Sequence, residues 1–374
     1  MVKTRDKNFL KNLAKKIVVD CLRVKSGENF WISCSDPAYF DLAEKTAIAA
    51  IEEGAYPFIT MSSEEIGLKK MENPPEYFKA SPEFALNNIE TADVQLQLAF
   101  PKDPAYPSKI PPEKLKASSW QTLKIHEALM ERNKEISRLR CSSLIYPTRE
   151  AADYYGIPFD EYEDLIWRSL DIDYNDLSGK AKTVASILRD GEKIHITTDD
   201  GTDLKFSIGN RQVFIDDGIM DEEDIQTRTY LQNLPTGEVY VAPLEDSVEG
   251  TAVFQYNIFM GEPLVNLRAE FKKGTITDFT ADRGEEHYRA VMENCTGGRY
   301  TIAELGIGLN PEIKEVVGNL AMDEKIIGTI HLATGENRMF GGTNKSSIHW
   351  DLVMKSPTVA VDGKVIMEKG RYRV

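Results

Sequence analysis

The sequence predicts an α/β plus α+β protein of two domains: an N-terminal α/β domain with a mainly parallel sheet, and a C-terminal strand-rich domain. Three observations carry this. The chain has 374 residues and 41% hydrophobic content, long for one domain and enough to bury two cores. Its first half alternates apolar runs of strand length with helical patterns. From Gly191 onward almost every apolar run has the length and alternation of a strand. The boundary is expected near residue 185, giving domains of 1–185 and 186–374.

Taken in order, Leu10, Leu13, Ile17, Cys21 and Leu22 fall on one helical stripe, with Gly27 following as a candidate C-cap. NFWISC then has the form of a strand, DLAEKTAIAAIEEG that of a helix ending at Gly54, and AYPFITMSS that of a second strand, the spacing of a βαβ unit. DVQLQLAF alternates from Val94 to Phe100, Pro111 to Arg138 has a helical pattern, and CSSLIYP adds a further strand. Between Thr148 and Arg189, TREAADYYG, FDEYEDLIWRSL and LSGKAKTVASILRD make a connecting helical layer.

The second half opens with EKIHITTDDGTDLKFSIG, two β runs around an Asp200-Gly201 hairpin signal. EVYVAP, TAVFQYNIF, LVNLRAEFKKGTITDF, KIIGTIHLA, SIHWDLVM and TVAVDGKVIM follow as strands, the last turning at Asp362-Gly363. One helix is expected around RGEEHYRAVMENC. No repeats or low-complexity tracts occur.

Composition excludes several roles. A formal net charge of -15 and a pI near 5.0 leave no basic surplus to displace counterions from a phosphate backbone, so no nucleic-acid partner is expected. The four cysteines, Cys21, Cys34, Cys141 and Cys295, are dispersed and without CxxC spacing, as suits reduced thiols. MVKTRDKNFLKNLAKK lacks an apolar leader core, and no run of about 18 apolar residues occurs. A cytoplasmic protein without a membrane partner is expected.

Chemistry is suggested first by SSIHWDLVM, an apolar run interrupted by His349 and Asp351. Alternation in a strand puts His349, Asp351 and Val353 on one face and Ile348, Trp350 and Leu352 on the other. A buried carboxylate needs a cation, hydrogen bonds or a metal. Taken alone, the pair is better accounted for by a hydrogen bond between its own members. Three other segments offer it company. His331 breaks the apolar run GTIHLATGEN. Glu238 follows a Pro-Thr-Gly turn at the mouth of EVYVAP. Glu304 stands between Ala303 and Leu305, before a glycine-rich turn through Gly306 and Gly308. Turn or helix caps remain the alternative for both glutamates. Together these are three carboxylates and two imidazoles, a nitrogen and oxygen set suited to zinc, cobalt or manganese, and without the thiolates of a closed structural zinc site. Such a set can hold two cations that activate a water for amide hydrolysis.

At these residues the chain resembles a known family, the thermophilic metal-dependent aminopeptidases of the aminopeptidase T, AmpS and PepS type. NLPTGEVYVAP, AELGIGLNP, IHLATG and SSIHWD occur in the family's order, and YPTREAADYYGIPFDEYEDLIWRSLDIDY and HITTDDGTDLKFSIGNR are similar as well. The resemblance covers nearly the whole chain. It implies metal ligation by Glu238, Glu304, His331, His349 and Asp351, two divalent cations per chain, a homodimer, and removal of N-terminal residues from peptides with a free N-terminus. Glu304 is a candidate catalytic residue as well as a ligand.

One departure stands out. The family has a tyrosine seven residues after the first metal histidine, where this sequence has Arg338, and the interval from His331 to His349 is shorter. Glu336, in the same loop, is a candidate replacement ligand or general base, with a solvated turn carboxylate as the alternative. His126, His195 and His287 lie among charged neighbours and are expected on solvated faces. The rival function is a two-domain binding protein, non-catalytic or of altered substrate, using the α/β domain as a small-molecule cleft. That domain has no GxGxxG or GxxxxGK[ST] phosphate loop.

Overall fold

The computed structural model describes residues 8–374; the first seven, part of the segment read above for a leader, lie outside the described residues. Two compact units emerge, one holding the chain up to Tyr174 with Gly218–Pro235, the other Asn175–Asp217 with Thr236–Val374. The sequence divides near residue 185; the compact units divide at Tyr174/Asn175, and a later segment returns to the first.

In the first unit the opening helix, Phe9–Lys16, continues as a wider turn through Ile17–Cys21, burying Leu13, Ile17, Cys21 and Leu22. Gly27 is not its cap, because the helix ends at Leu22 and Arg23 takes the left-handed conformation; Gly27 instead bonds to Gly54 at the entrance to the sheet. Strands β1 (Asn29–Cys34), β2 (Tyr56–Met61), β3 (Val94–Leu98) and β4 (Arg140–Leu144) all run parallel. The β1–β2 crossover is the helix Phe40–Glu52, closed by Gly54 at φ +81°. Helices Arg149–Tyr155 and Phe159–Leu170 follow.

The second unit begins at Asn175, within the helix Tyr174–Asp190, and continues with the hairpin β5 (Lys193–Thr197) and β6 (Asp203–Ser207), turning at Gly201, and the short strand β7 (Val213–Asp216). Residues Leu231–Leu234 then form β8, parallel to β4, completing a five-stranded sheet of order β2-β1-β3-β4-β8.

The remaining strands are β9 (Glu238–Val241), β10 (Glu249–Phe259), β11 (Glu262–Lys272), β12 (Thr275–Thr280), β13 (Ile302–Gly308), β14 (Thr329–Gly335), β15 (His349–Lys355), β16 (Thr358–Val361), β17 (Lys364–Glu368) and β18 (Arg371–Tyr372). LVNLRAEFKKGTITDF is thus two strands joined at Gly274, and the glycines at 306 and 308 lie inside β13 rather than in a turn. An eight-stranded sheet has the order β12-β11-β10-β6-β5-β16-β17-β18, and a five-stranded sheet the order β15-β14-β13-β9-β7. The side chain of Asn257, on β10, donates to and accepts from the backbone of Val353, satisfying the outer edge of β15. Among the described residues no helix is long and apolar enough to cross a membrane.

Candidate metal centre

The five-stranded sheet of the second unit is antiparallel, so directly paired residues project to the same side. One side is mostly apolar: Ile215, Val239, Val241, Leu305, Ile307, Ile330, Leu332, Leu352 and Met354 are all buried. At about 1.5–3 kcal/mol for each such side chain, this face fixes the register. The register then decides the opposite face. Phe214, Tyr240, Gly306, His331 and Val353 form one continuous row across the five strands, and Asp216, Glu238 and Gly308 form the next. Asp351 and His349 follow Val353 on the same side of β15. Glu304 joins them by the same alternation, two residues before Gly306 on β13 and paired with Ala333, which in turn pairs with Asp351.

Gly306 makes the convergence possible. A Cβ there would lie 2.0 Å from Cε1 and Nε2 of His331, so the imidazole occupies the space a side chain would take. His331 Nε2 lies 3.2 Å from Glu304 Oε1, 3.5 Å from Glu238 Oε2 and 3.8 Å from Asp351 Oδ1. His349 Nε2 lies 3.5 Å from both Glu304 Oε2 and Asp351 Oδ2. Glu304 and Asp351 therefore each present one oxygen to each imidazole. The Nδ1 of His349 donates to the backbone carbonyl of Glu336 at 2.7 Å, which fixes its tautomer and turns Nε2 toward the acids.

Electrostatics follow from burial. Desolvation opposes charge on both imidazoles, but Glu304, Asp351 and Glu238 outweigh it at His331, holding its pKa at about 9. At His349, Asp351, Glu304 and the Glu336 carbonyl raise it to about 10 against the same burial. Asp351 is buried, yet its neighbouring imidazoles hold its carboxyl below the usual range. Burial pushes Glu238 and Glu324 up despite Lys325 beside them. Tyr240 is raised well above a free phenol by burial and by Glu304, Glu238 and Asp216, so it stays protonated.

All five expected ligands converge on this face. The structure also brings in three residues that the sequence reading missed: Asp216, Glu324 and Lys325. Ligand atoms of Glu238, Glu324 and His331 lie within 4.8 Å of one another, as do those of Glu304, His349 and Asp351. The donor set fits divalent cations on a further count. Asp351 Oδ1 and Glu238 Oε2 are buried and accept no hydrogen bond, which leaves two carboxylate oxygens open to a cation or a water.

Glu336 stands apart. Its carboxylate is clamped by Arg338, whose Nε and second guanidinium nitrogen donate at 2.6 and 2.8 Å, and this pair holds its pKa down at about 2. Only its backbone carbonyl reaches the centre. Arg338 is exposed in a loop pinned by buried Asn337, which donates to Glu245 and accepts from the Asn344 backbone. Phe340 of that loop lies 5.1 Å from the His349 ring and 5.5 Å from Tyr240, which stacks on Phe214 at 5.1 Å, giving the centre one aromatic wall. Of the other histidines, His195 pairs with Asp203 on a partly exposed hairpin and His126 lies on the helix Pro112–Arg132. His287 departs from expectation: its ring meets Phe259 edge-on and its Nε2 is buried, because the helix Glu285–Asn294 packs that face inward.

Comparison with known proteins adds an independent line. A family model described as thermophilic metalloprotease (M29) matches residues 6–372. Aminopeptidase AmpS of Bacillus subtilis (strain 168) is 25% identical over 183 residues, 44% of this chain and 43% of AmpS, so the chain aligns with less than half of that relative's length. A 2,5-dihydroxypyridine 5,6-dioxygenase of Pseudomonas putida is 25% identical over 199 residues, 50% of this chain and 55% of that one. Among solved structures, wild-type AmpT from Thermus thermophilus has a TM-score of 0.74 at 20% identity, covering 98% of this chain and 100% of its own, and shares the fold.

Proposed function

The chain belongs to the thermophilic metalloprotease (M29) family, and from that premise we propose that it is a metal-dependent aminopeptidase. It removes N-terminal residues from peptides at two divalent cations, zinc, cobalt or manganese, held by Glu238, Glu304, His331, His349 and Asp351. One observation carries this reading: Glu304 and Asp351 each divide their two oxygens between two separate imidazoles. A single-cation site has no use for two carboxylates so shared.

Charge supports the same count. With the carboxylates of Asp216, Glu238, Glu304, Glu324 and Asp351 and the ammonium of Lys325 ionised, and both imidazoles neutral as metal ligands must be, the described residues of the centre carry the negative charge that two divalent cations neutralise. When bound, such cations supply Lewis acidity, polarising a peptide carbonyl and making water acidic enough to attack near neutral pH. Glu304, lying between the imidazoles, takes the attacking water's proton as general base. The Glu336 carbonyl keeps His349 turned inward, and Phe340 and Tyr240 shield one side from solvent. A substrate's free α-amino group would either coordinate one cation or meet a carboxylate of the centre, which would account for exopeptidase action. The protein is further proposed to act in the cytoplasm as a homodimer.

A second reading is favoured by one feature. His331 and His349 lie 3.8 and 3.5 Å from opposite oxygens of Asp351, two imidazoles and a carboxylate being the ligand type of non-haem ferrous oxygenases, and one relative is named as a dioxygenase. A single experiment divides the two. Metal content and hydrolysis of aminoacyl chromogenic amides are measured with cobalt, zinc or manganese, for wild type and His349→Ala. The expected result is two cations per wild-type chain, with turnover that falls about 100-fold or more in the variant, since removing one partner of a buried charged network costs ~3–5 kcal/mol. Wild-type protein that takes up no divalent cation overturns the proposal. One ferrous ion per chain, with oxygen uptake and no amide hydrolysis, establishes the second reading instead.

A further inference from the structure

Lys325 lies immediately outside the convergence of ligands and is fully buried. Its ammonium is 2.5 Å from Glu324 Oε1, 2.9 Å from Glu238 Oε1 and 3.3 Å from Asp216 Oδ2. An ammonium has three N–H donors and no acceptor, so three carboxylate oxygens satisfy it completely. A lysine is ordinarily kept in water, and one that is wholly interior has a specific partner set. Here the geometry of one partner is informative. Lys325 takes the Oε1 of Glu238, while Oε2 of the same carboxylate accepts no hydrogen bond and lies 3.5 Å from His331 Nε2.

We propose that Lys325 is a positioning residue for metal binding: a fixed internal cation that holds one edge of Glu238 so that the other edge faces His331. The inference rests on the two-cation reading above. A carboxylate has two equivalent oxygens and a free rotation, and without a partner on the inner edge nothing holds Glu238 in the orientation that serves His331. The same ammonium also occupies the inner end of the acidic row, where Asp216, Glu238 and Glu324 would otherwise gather their own cation from solvent. Lys325 thereby acts on one of the two ligand groups. It does not touch Glu304, His349 or Asp351 within hydrogen-bonding distance, so the second group keeps its geometry when Lys325 is changed.

That asymmetry provides the test. Cobalt(II) is titrated into metal-free wild type, Lys325→Met and Asp216→Asn, with affinities from chelator competition, the ligand-field absorption of each site as the spectroscopic signature, and stoichiometry by elemental analysis. Partners that orient metal ligands are typically worth 10- to 100-fold in affinity. Lys325→Met is therefore expected to weaken one of two cobalt sites by roughly 10- to 100-fold and leave the other within about threefold. Asp216→Asn, which loosens the ammonium without removing it, weakens the same site by a smaller factor and covers the case in which Lys325→Met fails to fold. A purely structural role for Lys325 would lower the melting temperature and leave the ratio of the two affinities unchanged. Two sites of wild-type affinity in both variants, or a third cobalt bound by Lys325→Met with the first two unaltered, overturns the inference. Wild type that binds fewer than two cobalt ions overturns instead the two-cation reading on which it rests.

Discussion

On the parallel sheet of the first unit, Trp31, Ser33, Gln95, Gln97 and Cys141 share a face, and their polar atoms find one another. Trp31 donates to Thr60 at 2.7 Å, Gln97 donates to Gln95 at 3.0 Å, and Ser33 and Cys141 complete the set around the Gln95 amide. On the antiparallel sheet of the second unit, Glu238, Glu304, His331, His349 and Asp351 also share a buried face, but buried acceptors are left over and the groups are ionisable. Neutral groups that close on themselves cost little to bury and need nothing from outside. Charged groups that do not close are stable only with a further cation. A buried polar face is therefore a candidate site when its hydrogen-bond and charge accounts both fail to balance, and merely a core when they do.

The sharpest way to break this comparison is at Gly306. On the second sheet, Gly306→Ala places a methyl group within van der Waals conflict of His331, with strands on both sides to prevent relief. Overpacking of this kind costs ~1–3 kcal/mol. Displaced from the acids, His331 should bind cation more weakly and activity should fall by roughly 5- to 150-fold. Chelator competition and amide hydrolysis measure both quantities. Wild-type metal affinity in the alanine variant would show that the imidazole has another place to go, and that the glycine is not what shapes the centre.

The corresponding change on the first sheet is Gln95→Leu. It removes the amide on which Ser33, Gln97 and Cys141 converge. Losing such neutral hydrogen bonds costs ~1 kcal/mol, to be read as a lower urea midpoint, with metal content and hydrolysis unchanged. A loss of activity at constant metal content would show that the neutral face takes part in function, and the distinction between the two sheets would then fail.

Much of the second sheet was legible because single charged residues interrupt runs that are otherwise apolar: His331 in β14, and His349 and Asp351 in β15. Period-two alternation put the latter pair on one face, and the register bears this out. Local patterning had no access to Lys325, which meets Glu238 across 87 residues of sequence. AMDEKII looks like an ordinary charged turn, and nothing nearby marks the lysine as interior. Asp216 was hidden likewise at the end of a four-residue strand, and the return of β8 to the parallel sheet depends on a pairing with β4 that no short window contains. The glycines of β13 were misjudged for a related reason. Gly306 and Gly308 suggest a turn by propensity, but their function is to clear space for His331 and for the backbone at Ile326.

The smallest expected effect concerns the loop where sequence and structure give Glu336 different jobs. As a ligand or general base it would act through its carboxylate, yet that group is occupied by Arg338, and only the carbonyl contacts His349. Glu336→Gln keeps the carbonyl, so metal content and hydrolysis should stay within roughly fivefold of wild type, the range of an exposed ion pair worth about 0–1 kcal/mol. The pH dependence has a definite sign. Arg338 depresses the folded pKa of Glu336 to about 2, so the pair's contribution to stability is present above its unfolded value of roughly 4.3 and fades as pH falls through 2. Melting curves of wild type and Glu336→Gln should therefore converge only below about pH 2 and separate slightly above pH 5. A variant that loses a cation at neutral pH while keeping its melting temperature would return the carboxylate to the metal centre, and would mean that Arg338 releases it when the cations bind.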